Sequence, residues 1–270
     1  MGKRRDGKLK GVEVNSIVST NDGDIVIIEV INCSEVVVCF LQYPNVLTVR
    51  AGDIRTGRIK NFMKPCTYGI GYIGVGPYKT AVNGKHTKAY NVWMGMLQRV
   101  RCPNSKRVAR NYEGTSIDIR WLNYQNFAAW YEQEINKFGP VDFGWEIDKD
   151  FLIPGNRMYS PDTCCLIPQS INVLMVSSCF SRGTLPLGVS YKRKRYRASV
   201  RMFGKNKNLG VYSTIREAQL AYWSAKFESI HHSGLVYWKY LPEWLAMKLV
   251  HFGWEDALVY YGDDAIIWSD

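Results

Sequence analysis

Gly188-Val189-Ser190-Tyr191-Lys192-Arg193-Lys194-Arg195-Tyr196-Arg197-Ala198-Ser199-Val200-Arg201-Met202-Phe203 is the stretch on which the reading of this chain turns. Residues alternate between apolar or small and polar or basic on both sides of a charged cluster. That is the pattern of a β-hairpin whose turn lies in the cluster. Gly204-Lys205-Asn206-Lys207-Asn208-Leu209-Gly210-Val211-Tyr212 supplies the next turn and a third strand. From Ser213 to Lys226 the period becomes helical. Ala218, Ala221, Tyr222 and Ala225 share one face, small enough for a sheet to approach closely. Either Ser213 or Thr214 can cap this helix; with Thr214 as the cap, Glu217 stands where a capping box requires it. The expectation is a three-stranded sheet backed by one helix.

Strand periodicity puts Tyr196, Ala198, Val200 and Met202 on one face of the middle strand and Arg195, Arg197, Ser199 and Arg201 on the other. Between Arg182 and Arg216 the chain has ten Lys or Arg residues and no Asp or Glu. A solvated charge run mixes signs, whereas a single-sign surface with interleaved tyrosines fits a polyphosphate partner. Arg197 and Arg201 suit bidentate contacts to guanine edges. Lys192, Lys194, Lys205 and Lys207 suit phosphates, and Arg193, Arg195 and Ser199 complete the candidate surface. The competing reading is a surface that merely solubilises.

Residues 184–230 resemble the AP2/ERF and integrase-type DNA-binding fold. The resemblance rests on Gly188-Val189, Tyr196-Arg197-Ala198, Gly204-Lys205, Leu209-Gly210-Val211-Tyr212-Ser213-Thr214 and the helix carrying Glu217-Ala218 and Ala221-Tyr222. It implies that the sheet, not the helix, enters the major groove of double-stranded DNA.

Upstream, the order from Trp145 is a strand, a polar turn at Gly155-Asn156, and Ser160-Pro161 opening a short helix with Ser160 as its cap. With Trp121-Leu122-Asn123-Tyr124-Gln125-Asn126-Phe127, Asp148-Lys149-Asp150 and Tyr159-Ser160-Pro161-Asp162-Thr163-Cys164-Cys165, this ββα order resembles HNH nucleases. More specifically it is similar to bacteriophage-encoded HNH-related proteins of the homing-endonuclease type, many of which carry an AP2-like domain after this segment. The resemblance makes Asp148 the metal-binding acid and Asn156 the loop asparagine. It puts Lys149 where the general-base histidine belongs, and no histidine lies between His86 and His231. A base that activates water should titrate near neutrality, and a lysine between Asp148 and Asp150 should be held protonated.

Three outcomes follow for this centre. It can be an HNH-like scaffold with DNA affinity and a degenerate catalytic site. It can be an active endonuclease in which Asp148, Asp150 and Asp162 hold Mg²⁺ or another divalent cation. Or these residues only cap turns and pair with lysines.

Further out, Ile25–Val30, Val36–Phe40 and Val46–Val49 read as short strands of a small antiparallel sheet or barrel. Arg50, Arg55, Arg58, Lys60 and Lys64 follow as a sparse basic set, ordinary for a solvated loop, with a nucleic-acid contact as the alternative. Tyr68-Gly69-Ile70-Gly71-Tyr72-Ile73-Gly74-Val75-Gly76 is a glycine-rich connector. A phosphate loop would lead into a helix, and here Pro77 and a β-like run follow. Residues 88–137 are mostly helical, with Tyr90, Trp93, Met94, Met96, Leu97 and Val100 as one buried stripe ended by Pro103-Asn104-Ser105. Trp121, Phe127, Ala128, Trp130, Tyr131 and Ile135 form the next, capped by Asn123 or Asn126. A helix near 241–251 lies in an aromatic, acidic C-terminal stretch that packs on the body or folds back over the basic face.

The fold class expected is α+β, with segments 1–80 (β), 81–180 (helical and HNH-like), 184–235 (AP2-like) and 236–270 (C-terminal extension). A formal charge of +11 favours a polyanionic partner, nucleic acid or an anionic membrane surface. No apolar run approaches the roughly 20 residues that span a bilayer. The N-terminus has no signal-peptide core. The expected place is the cytoplasm, of a host cell if the chain is phage-encoded. Seven scattered cysteines without a C-x-x-C pair point to reduced, mostly buried thiols. The alternative to DNA is a host protein, bound and inhibited through the acidic tail and the N-terminal sheet.

Overall fold

The computed structural model describes residues 11–103, 106, 111–138, 144–175, 184–202 and 205–268. It is an α+β protein with several small sheets. The chain forms two compact units, Met1–Cys102 with Ile119–Ala128 and Pro103–Asp118 with Ala129–Asp270. This division runs through the 81–180 segment and places the 184–235 and 236–270 segments in one unit.

In the first unit, β1 (Ile17–Thr20), β2 (Gly23–Asn32), β3 (Glu35–Phe40) and β4 (Val46–Val49) pair in sequence order as an antiparallel meander, an open sheet rather than a barrel. Ile25 and Ile27 of β2 and Val36, Val38 and Phe40 of β3 form its core with Ala51 and Ile54 of α1 (Ala51–Thr56). Short strands β5 (Ala81–Val82) and β6 (Lys85–His86) lead to α2 (Lys88–Arg101), capped by Thr87 Oγ1, which accepts from Tyr90 N.

The glycines before these strands serve close packing. A Cβ at Gly71 would sit 2.5 Å from Leu97 Cδ1, and one at Gly76 would sit 2.4 Å from Gln125 Oε1. Part of the connector is tied down by its amides: Ile70 N and Gly71 N donate to Thr67 O, Tyr72 N to Leu122 O and Gly74 N to Phe62 O. The next helix, α3 (Tyr124–Asn136), is capped by Asn123, whose Oδ1 accepts from Gln125 N; Asn126 Nδ2 donates to Arg120 O instead.

In the second unit, β7 (Ser116–Ile117) pairs in parallel with β9 (Met158–Tyr159), and β8 (Trp145–Asp148) pairs antiparallel with β10 (Cys165–Pro168), which leads into α4 (Gln169–Met175). Ser160-Pro161 does not open a helix. Ser160 Oγ meets Thr163 Oγ1 and Ser160 O accepts from Cys164 N, closing one turn before the chain extends into β10. The run Cys165-Leu166-Ile167-Pro168 is buried throughout. Burial against β8 overrides the local cap-and-proline signal, and the helix comes later, as α4. Of the six cysteines described, only Cys164 and Cys165 are buried, and Cys33, Cys66 and Cys102 are exposed. Thiols in turns and at a helix end do not reach a core, so the expected burial holds for the central hairpin alone.

The third sheet has β11 (Val189–Lys192), β12 (Arg195–Met202) and β13 (Lys205–Tyr212) in that order, all antiparallel. Arg193 and Lys194 form the first turn, both left-handed with φ of 52° and 61°, the geometry of a tight primed turn that matches strand twist. The Phe203-Gly204 turn lies outside the described residues. Thr214 caps α5 (Ile215–Tyr237) in a full capping box with Glu217. Beyond it lie α6 (Glu243–Val250) and α7 (Trp254–Tyr261).

The helix α5 runs well past Lys226 because it is covered on two sides. Ala218 and Tyr222 are buried, as are Gln219, Trp223, Lys226 and Ile230, so no single apolar stripe defines it. Gly234 lets α5 approach α6, where a Cβ would lie 2.8 Å from Val250 Cγ2. Gln219 holds the chain end through bonds to Ile266 O and from Trp268 N. The acidic, aromatic extension thus packs on the body. Among the described residues no helix is long and apolar enough to cross a membrane.

Candidate nucleic-acid interface

Burial along β12 alternates as its sequence does: Ala198, Val200 and Met202 are buried, while Arg195, Arg197, Ser199 and Arg201 are exposed. Cross-strand partners share a face in an antiparallel sheet. Lys192 lies opposite Arg195, and Ser190 opposite Arg197. On the other side Val211 partners Arg197, Asn208 partners Ser199 and Asn206 partners Arg201. Arg195 is held in place by a 3.1 Å bond from Nη1 to Ser213 Oγ. The outward face is therefore a lattice of cations and neutral hydrogen-bonding groups. Residues 184–216 contain no carboxylate. Ser190, Asn206, Asn208 and Val211 join the candidate surface without having been picked out by charge.

Lys205 and Lys207 do not share it. They lie opposite Met202 and Val200, on the side of the sheet that carries α5, although both are exposed. The cause is a register shift between Ala198 and Ser199, where β13 contributes one extra residue, Leu209. Before the shift, alternation from Tyr212 would have put both lysines outward; one inserted residue reverses every later side chain.

The central loop uses its polar groups on itself. Asp148 Oδ1 accepts from Asp150 N at 2.7 Å and Phe151 N at 2.6 Å. Burial raises the Asp148 pKa, opposed by these two amide bonds. Lys149, only 7% exposed, donates to Asp150 Oδ2 at 2.6 Å and to Asn156 O at 2.8 Å. Asn156 Nδ2 donates to Lys149 O and Met158 O, and its Oδ1 accepts from Met158 N. From the extension, Lys248 Nζ and Tyr260 OH both donate to Phe151 O.

Asp148, Lys149, Asp150 and Asn156 are thus gathered in one loop, as neighbouring parts of a turn network. Asp162 is exposed in the turn after β9. Among the described residues no group of three or more His, Cys, Asp or Glu side chains is placed to hold a metal ion. Asp148 Oδ1 serves backbone amides and Asp150 serves Lys149. Cys164, behind this loop, is a buried thiol whose pKa burial pushes up to about 12.

Lys226 is a charge inside the second unit. It is 4% exposed, donates to Leu174 O and lies 5.6 Å from the Tyr261 ring centroid. Burial lowers its pKa from 10.5 to about 8. The unfolded chain therefore binds more protons than the native one between these values, so this group makes stability rise with pH across that window. Buried thiols and tyrosines with raised pKa act in the opposite direction over an overlapping range. The comparison of wild type with Lys226→Met isolates the lysine. The variant's relative stability, from urea midpoints, is expected to be highest near pH 7 and to fall steadily towards pH 10.

Compared with family models, with curated proteins and with solved structures, the chain matches none.

Proposed function

We propose that this protein binds double-stranded DNA through the outward face of β11, β12 and β13. One observation carries the reading: Lys192, Arg195, Arg197 and Arg201 share a twisted sheet face with Ser190, Ser199, Asn206 and Asn208, and the Arg193-Lys194 turn extends it. Cations at this spacing meet phosphates, and the neutral amides and hydroxyls between them suit base edges. The sequence resemblance to AP2/ERF-type modules agrees with this use of a sheet. Titration of a random duplex at rising salt tests it. The log–log slope should be steep, roughly −0.9 for each phosphate contacted.

The central hairpin is proposed as an HNH-like scaffold with a degenerate centre, because its polar side chains are engaged in holding their own loop. Supercoiled plasmid incubated with Mg²⁺ or Mn²⁺ should show no nicking beyond that of Asp148→Ala. Nicking above this control would restore the endonuclease reading, with a divalent cation at Asp148.

A second reading, capture of a host protein, draws on the extension, where Trp244, Trp254, Leu258 and Trp268 are each at least 40% exposed beside Glu255 and Asp256. Exposed apolar surface of this kind marks interaction sites. A flat salt response of DNA binding would favour it.

A further inference from the structure

A pocket of about 640 Å³ lies between α4 and the second half of α5, and Arg201 is among its lining residues. Val173, Leu174 and Val236 make part of its wall apolar. Ser170 Oγ bonds Tyr237 OH at 3.1 Å, linking the two helices across it. Its size falls in the range of small-molecule sites, roughly 300–1,000 Å³.

Two observations say what it would hold. Ser229 lines the pocket, is 1% exposed, and its Oγ has no hydrogen-bond partner among the described residues. A buried hydroxyl left so is unfavourable until a ligand or water completes it. Arg201 supplies a cation, and no carboxylate is among the described lining residues. Arg201 also belongs to the outward sheet face. The β11 pairing ends opposite Ala198, which leaves the 199–202 end of β12 open on that side.

We infer that this pocket takes a single nucleotide, its base against the apolar wall and Ser229, its phosphate on Arg201. An inorganic anion would leave the apolar wall wet, and an alkyl carboxylate would leave Ser229 unpaired. A heterocycle with a phosphate answers both. The nucleotide can be a free mononucleotide or an extrahelical residue of bound DNA; only the second source rests on the DNA-binding reading.

The test is calorimetric titration of the full chain with dAMP, dGMP, dCMP and dTMP, alongside a mismatched duplex carrying 2-aminopurine. Saturable binding of at least one mononucleotide is expected. Val173→Trp, which fills the pocket from a residue 42% exposed, should weaken that binding at least about tenfold, while duplex affinity stays within about twofold. Ser229→Ala, a change too small to unfold the helix, should weaken mononucleotide binding by a few-fold.

If no mononucleotide saturates and 2-aminopurine stays quenched in the complex, the inference is overturned. Unchanged mononucleotide affinity in both variants overturns it too. Mononucleotide binding by a protein that ignores duplex DNA would uphold the pocket and reject the DNA-binding reading.

Discussion

Arg197→Ala with Arg201→Ala lowers affinity for a random duplex by roughly two orders of magnitude. Each arginine contact with a phosphate is a hydrogen bond between charged groups, worth about 1.5–3 kcal/mol, and about 1.4 kcal/mol is tenfold in affinity. If both contact phosphates, the log–log salt slope becomes shallower by roughly 1.8. Both side chains are exposed on β12, so thermal unfolding should barely move. Lys205→Ala with Lys207→Ala removes the same charge from the edge strand and is the decisive comparison. These lysines lie on the α5 side of the sheet, opposite Met202 and Val200. Affinity should fall only severalfold there, as a general electrostatic effect. Equal losses in the two double variants, measured by fluorescence anisotropy at one salt concentration, would mean that charge alone matters and that the sheet face does not.

Gly188→Ala destabilises the second unit severely. Gly188 has φ of +74°, and a Cβ there would lie 1.9 Å from Tyr222 Cδ2 and 2.3 Å from Cε2. The ring has nowhere to go, since Tyr222 is 5% exposed and packed edge-on against Trp223 at 5.3 Å. The left-handed backbone costs about 1–2 kcal/mol and overpacking about 1–3 kcal/mol more. Together these approach half of a typical domain stability of roughly 5–15 kcal/mol. Gly155→Ala is the control, because φ is +75° there and nothing lies within 4 Å of the added carbon. It should show the backbone cost alone. Urea midpoints separate the two variants. Duplex affinity should fall in Gly188→Ala because Gly188 O accepts from Ser199 N and so holds the binding strand.

The two variants probe different kinds of information. The alternation Tyr196-Arg197-Ala198-Ser199-Val200-Arg201-Met202 determines which side of β12 faces solvent, because a period of two leaves no choice once one face is buried. The turn at Arg193-Lys194 and the helix after Thr214 were legible in the same way, from local chemistry. So were β2, β3 and β4, from their apolar runs and the turns between them. The loop at Asp148 shows where local chemistry stops being enough. Its residue types resemble a nuclease motif, but Asp148, Lys149 and Asn156 each found partners within the turn, which spacing alone does not reveal. Ser160-Pro161 failed as a helix start for the opposite reason: a distant strand, β8, claimed the residues that followed.

By itself, then, the sequence determined a basic, acid-free three-stranded sheet with its arginines on one face and a capped helix behind it. Only the tertiary structure decided which lysines join those arginines. Leu209, a single residue inserted against β12, turned Lys205 and Lys207 to the other side and brought Asn206 and Asn208 forward. Pairing register depends on contacts between strands, and a one-residue bulge changes the face of every side chain beyond it. Tertiary packing likewise extended α5 to Tyr237, because α6 and α7 cover the side that its own periodicity leaves undefined.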